Sequence, residues 1–110
     1  MSQDKGKRAA RWVASYMRPW WPLAEETPGG RPGADIMNTP GVAFEVKTGV
    51  TWRESWLKQA AKYPGGIKVL VYLPPGCGAA NVANAQMIVP MHVGMQLLVD
   101  AGYAPRIEER

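Results

Sequence analysis

Gly33-Ala34-Asp35-Ile36-Met37-Asn38-Thr39-Pro40-Gly41-Val42-Ala43-Phe44-Glu45-Val46-Lys47-Thr48 reads as two short strands around a turn. Residues 34–37 and 42–47 are the strands, and Asn38-Thr39-Pro40-Gly41 between them is rich in turn formers that suit an antiparallel hairpin. Side chains alternate along a strand, so Val42, Phe44 and Val46 share one face while Ala43, Glu45 and Lys47 share the other. The two charges of the second strand therefore point the same way, and Asp35 stands on the neighbouring strand.

Upstream, Ala9, Trp12, Val13, Tyr16 and Met17 recur at helical spacing from Gly6 to Met17, with Lys7, Arg8, Arg11 and Arg18 mostly opposite them, which predicts a basic amphipathic helix. Pro19 and Pro22 end it, and Trp20-Trp21-Pro22-Leu23-Ala24 reads as a short extended segment leading into Glu25-Glu26. Thr27-Pro28-Gly29-Gly30-Arg31-Pro32-Gly33 is a surface loop of the kind that borders sites. Downstream, Trp52, Trp56, Leu57, Ala60 and Ala61 form a helical stripe over residues 51–63, closed by Pro64-Gly65-Gly66. Residues 67–73 are β-branched and read as a buried strand. After a loop, residues 86–89 make a last short strand, and Pro90 opens a helix that stops at Gly102. The expected order is α-β-β-β-α-β-β-α, an α/β domain with a mixed central sheet flanked by helices and with both ends (1–4 and 106–110) frayed.

The chain has 110 residues, enough for one domain with a modest core. Apolar residues make up 46% and charged residues 20%, a globular composition that excludes a disordered tail or fibrous repeat. Thirteen Lys and Arg against nine Asp and Glu give +4, which suits a polyanionic partner. The longest apolar run, Val69 to Leu73, is far too short to span a bilayer, and Arg18 with the nearby prolines interrupts any secretion signal. Cys77 is the only cysteine, so an internal disulfide and Cys₂ or Cys₄ zinc sites are excluded. A reducing compartment, the cytoplasm, is expected.

Asp35, Glu45 and Lys47 are the candidate catalytic group. Two carboxylates on adjacent strands offer the hard oxygens that hold Mg²⁺, with Mn²⁺ as its substitute, leaving positions for water and a substrate phosphate. A lysine two residues along can orient the attacking water or stabilise developing charge. The product of such a site is a cut phosphodiester.

Gly33-Ala34-Asp35-Ile36, Phe44-Glu45-Val46-Lys47-Thr48 and Gln59 on the following helix resemble the core of the PD-(D/E)XK nucleases, and the α-β-β-β-α-β order agrees. Lys5-Gly6 at the opening of the first helix is similar to the small Holliday-junction resolvases of that superfamily, including phage-encoded ones. The resemblance runs from about Lys5 to Met91 and rests on a handful of positions. It implies a restriction-endonuclease-like core in which Asp35, Glu45 and the Val46 carbonyl are metal ligands, Lys47 is the catalytic lysine and Gln59 is a polar support. Those resolvases place a glutamate four residues after the Lys-Gly glycine, where this chain has Ala10. Either a ligand is missing, or Glu25 or Glu26, with Glu26 the preferred candidate, takes its place. The implied activity is metal-dependent, structure-selective endonuclease action on four-way DNA junctions by a homodimer, in a bacterial host's cytoplasm if phage-encoded, with no small-molecule cofactor. A flap, repair or packaging-associated nuclease, and a catalytically inactive DNA-binding accessory protein, are the competing readings.

Lys5, Lys7, Arg8, Arg11 and Arg31 are the expected DNA-backbone contacts beside such a site. Trp12, Trp20, Trp21, Trp52 and Trp56 read as core or subunit-interface residues. His92, without a His or Cys partner, and Cys77 carry no assigned role.

Overall fold

The computed structural model describes residues 2–29, 31–49, 55, 58 and 66–107, the side chains of residues 2–5 excepted. Helix α1 (Ser2–Met17) starts four residues earlier than the apolar spacing predicts. It buries Ala9, Ala10, Val13, Ala14 and Met17, so the buried face is turned from the expected one toward Ala10 and Ala14, with Trp12 at its border and Tyr16 45% exposed. The Met17 carbonyl accepts the N–H groups of both Trp20 and Trp21, and Ala24 N–H bonds the Trp21 carbonyl. Residues 18–23 are therefore a run of turns, not the expected extended segment: the prolines end the helix, and the freed carbonyls tie the chain back on itself.

Strands β1 (Glu25–Glu26) and β2 (Ile36–Met37) pair antiparallel, while β3 (Val42–Thr48), β4 (Ile67–Leu73) and β5 (Gln86–Ile88) form a second sheet in the order β3-β4-β5. β3 and β4 run parallel, with Glu45 opposite Leu70 and Lys47 opposite Tyr72, and β5 returns antiparallel to β4. The fold is thus α/β with a mixed sheet. Parallel neighbours require a crossover, and Ser55 and Lys58, which lie between β3 and β4, are both helical. The rest of the expected helix over 51–63, with Trp52, Trp56, Leu57 and Gln59, lies outside the described residues.

The expected antiparallel ladder between residues 34–37 and 42–47 is not formed. Asp35 N–H bonds the Phe44 carbonyl at 2.9 Å, whereas the Asp35 carbonyl accepts Thr27 N–H at 2.8 Å. At this one residue the chain switches partners from β3 to β1, so β2 continues alongside β1. Asn38 at φ 67° and Gly41 at φ 88° make the sharp reversal into β3.

Phe44, Val46, Val69, Val71 and Leu73 meet the α1 stripe in one core. Leu70 and Tyr72, alternate residues of β4, are buried as well, so β4 is covered on both faces, as its unbroken apolar run predicts. The expected order also departs at residues 79–84, read as loop but folded as two 3₁₀ turns (Ala79–Asn84) kinked at Asn81, which seat Val82 in the core. Asn81 explains it: its side chain accepts Gly78 N–H at 2.7 Å and donates to the Gly76 carbonyl at 3.1 Å. Helix α2 (Met91–Asp100) follows Pro90 and ends before Gly102, at φ 89°, close to the expected stop. Among the described residues no helix is long and apolar enough to cross a membrane.

Candidate active site

Asp35 is held from three sides. Its backbone bridges β1 and β3 as described, Thr27 Oγ1 donates to the adjoining Ala34 carbonyl at 2.5 Å, and its own Oδ2 accepts the Val46 N–H at 2.7 Å. A strand residue sends its N–H and C=O to the same side. The Val46 carbonyl therefore shares the β3 edge that faces Asp35, which is the geometry a third oxygen donor needs. With Oδ2 fixed by Val46, Oδ1 of Asp35 is left for another partner.

Glu45 is the buried acid, only 3% exposed, and Lys47 Nζ lies 3.8 Å from its Oε1. Burying a carboxylate is costly unless charge or hydrogen bonds compensate it, and the Lys47 ammonium is one such group. The alternation of β3 makes this pair: residues 45 and 47 share a face, and their side chains open into one cleft with Asp35 and Val46.

The cleft, of about 810 Å³, is bounded by α1 through Gly6, Lys7 and Ala10, and by the 27–34 loop through Arg31. Lys7 reaches across it, and a Cβ at Gly29 would sit 2.8 Å from Lys7 Nζ, so glycine makes room for the ammonium. Three cations, Lys7, Arg31 and Lys47, thus line the cleft with Asp35 and Glu45. The small side chain of Ala10 keeps the α1 wall low where the resemblance puts a glutamate.

Glu26 lines the same cleft, but its Oε1 is engaged by Arg11 Nε at 2.9 Å. The expected metal ligand and the expected DNA contact occupy each other. Among the described residues, no group of three or more His, Cys, Asp or Glu side chains is placed to hold a metal ion. The oxygen donors brought together are thus Asp35, Glu45 and the Val46 carbonyl. Glu25 is exposed on β1 and does not line the cleft. Arg8 is exposed on α1 away from it, the Lys5 side chain and Gln59 fall outside the described residues, and His92 is exposed at the start of α2. Cys77 is half-buried with its thiol toward the Asn81 carbonyl. Trp12 and Trp21 pack on the core, whereas Trp20 is 64% exposed.

Spacing alone misses the Val46 N–H to Asp35 bond, the Thr27 clamp and the Arg11–Glu26 pair. They join residues 7 to 15 positions apart, and local periodicity carries no such information. No known protein-family model, curated protein or solved structure matches the chain.

Proposed function

We propose that the chain is a divalent-metal-dependent endonuclease with a restriction-endonuclease-like core, acting on branched DNA, four-way junctions first among its substrates, as a homodimer in the cytoplasm. What carries this reading is the convergence of Asp35, Glu45 and Lys47 in one cleft rimmed by Lys7 and Arg31. The donors suit a small hard cation, since Mg²⁺ takes one or two carboxylates and leaves positions for water and a phosphate. When bound, such an ion polarises the phosphate and lowers the pKa of a coordinated water. The chain's own part is positional. Val46 N–H aims the Asp35 carboxylate, Lys7 and Arg31 attract the phosphates flanking the cut, and the Lys47 ammonium stands where charge develops on the reacting phosphate.

The test is cleavage of a synthetic four-way junction by purified protein with and without Mg²⁺. Wild type cuts the junction only with metal, and Asp35→Asn and Glu45→Gln bind it uncut. Cleavage of flaps or linear duplex with junctions left whole moves the substrate to the flap, repair or packaging class; no cleavage of any DNA sinks the nuclease reading. A second reading, a catalytically inactive DNA-binding accessory protein, is favoured by Ala10 and by the engagement of Glu26 with Arg11. Calorimetric titration with Mn²⁺ separates the two, because an inactive protein shows no Asp35-dependent binding.

A further inference from the structure

Helix α2 is apolar and bare. None of its residues is buried, and no other described element packs substantially against it. Met91 is 82% exposed, and Met95, Leu97 and Leu98 are each exposed by more than two-fifths; Met87 before the helix and Tyr103 and Ile107 after it are exposed as well. A helix with this composition ordinarily buries a face.

On the same chain lies an apolar groove of about 400 Å³ between the last turn of α1 and β5, with Tyr16, Trp20 and Met87 at its rim and Phe44 and Val71 at its floor. The Tyr16 and Trp20 rings meet at 5.7 Å, tilted by 50°, both exposed. The strand beside the groove, β5, is an edge of the sheet.

We propose that α2 of one copy docks in the Tyr16–Trp20–Met87 groove of a second copy, and the second copy's α2 in the first copy's groove, as a two-fold exchange. Three observations select this occupant. Helix and groove sit on one chain and are both apolar, so a single two-fold operation covers both at once and closes. The seven exposed apolar side chains from Met87 to Ile107 offer on the order of 800 Å² per copy, what each partner of a standard-size interface buries. An anionic lipid surface finds no attraction here, because the only Lys or Arg from 86 to 107 is Arg106, 4.0 Å from Asp100.

The experiment is sedimentation equilibrium of the full chain without DNA or metal. The wild type has a mass of about 24 kDa, twice the 12.1 kDa chain, with far-UV circular dichroism as the folding control. Leu98→Lys and Trp20→Glu each raise the dissociation constant at least about thirtyfold for each anchor lost, and the two-fold loses two. Both keep the wild-type spectrum, since Leu98 and Trp20 are exposed within their own copy; Met95→Lys serves as a second helix variant. Mixed in equal amounts, Leu98→Lys and Trp20→Glu regain the dimer, because one contact becomes Lys against Glu and the other is native. A wild type of 12.1 kDa at about 100 μM, folded variants that remain dimeric, or a mixture that stays monomeric overturns the proposal. The exchange rests on the homodimer of the endonuclease reading: a monomeric wild type removes the pair from both, and a dimer untouched by Leu98→Lys and Trp20→Glu overturns this interface alone. Cleavage and metal binding are read separately from mass.

Discussion

Replacing Asp35 by Ala and by Asn separates what this carboxylate does for the fold from what it does for the chemistry. Its Oδ2 accepts the N–H of Val46, a residue only 6% exposed, at 2.7 Å. Asp35→Ala leaves that part-buried N–H without its acceptor, at a cost of about 1–3 kcal/mol. Asp35→Asn keeps an oxygen at the same reach and loses only the assistance of charge, about 1 kcal/mol or less. Unfolding entropy near 2.1 cal/mol/K per residue makes each kcal/mol worth roughly 4 °C in a chain of this length. Asp35→Ala therefore melts roughly 4–13 °C below wild type, and Asp35→Asn within roughly 4 °C of it. Thermal melts and urea midpoints at unchanged m value check this, while calorimetry shows both variants without Asp35-dependent Mn²⁺ binding. Equal melting of the two variants would refute the Val46 clamp, and full metal binding by Asp35→Asn would remove Asp35 from the ligand set.

Phe44 is 1% exposed and meets the Trp21 ring edge-on at 5.7 Å; Phe44→Ala costs about 3–5 kcal/mol in urea unfolding. Gly66, at φ 61°, lies so close to the Gly41 carbonyl that a Cβ has no room, whereas Gly76, at φ 88°, faces open space. Gly76→Ala loses only the roughly 1–2 kcal/mol of a left-handed backbone, and Gly66→Ala loses more or fails to fold, as melting curves show. On the proposed reading Lys7→Ala removes one phosphate contact, so the slope of log Kobs for junction binding against log salt falls by about 0.9. Glu26→Gln breaks an ion pair whose side chains are 65% and 25% exposed, costs less than about 1 kcal/mol, and leaves Mn²⁺ affinity within about twofold, whereas a ligand at this position would lose far more.

The candidate site was legible where it depends on parity and poorly legible where it depends on approach. Residues 45 and 47 of any strand share a face, so the Glu45–Lys47 pair follows from the alternation of residues 42–47 and is found at 3.8 Å. Asp35 was also legible as the acid of the neighbouring segment, yet the expected hairpin ladder would have given it a different backbone setting. The switch of partners at Asp35 needs Thr27 as well as Phe44, and Thr27 is eight residues upstream, beyond a glycine-proline loop. Glu26 shows the same limit: its type and place suit a metal, but an arginine fifteen residues earlier in the chain reaches it first.

Short-range patterns were sufficient for Ala9, Val13 and Met17 of the α1 stripe, the doubly covered strand β4, the stop at Gly102 and the common face of Glu45 and Lys47, because each is a matter of periodicity or backbone preference within a few neighbouring residues. Folding in three dimensions settled the parallel pairing of β3 with β4, the hold of Val46 on Asp35, the diversion of Glu26 to Arg11 and the bareness of α2. These depend on which distant segments come within bonding distance. An apolar stripe says that a helix has a face to cover; whether its own chain covers it is a property of the whole packing.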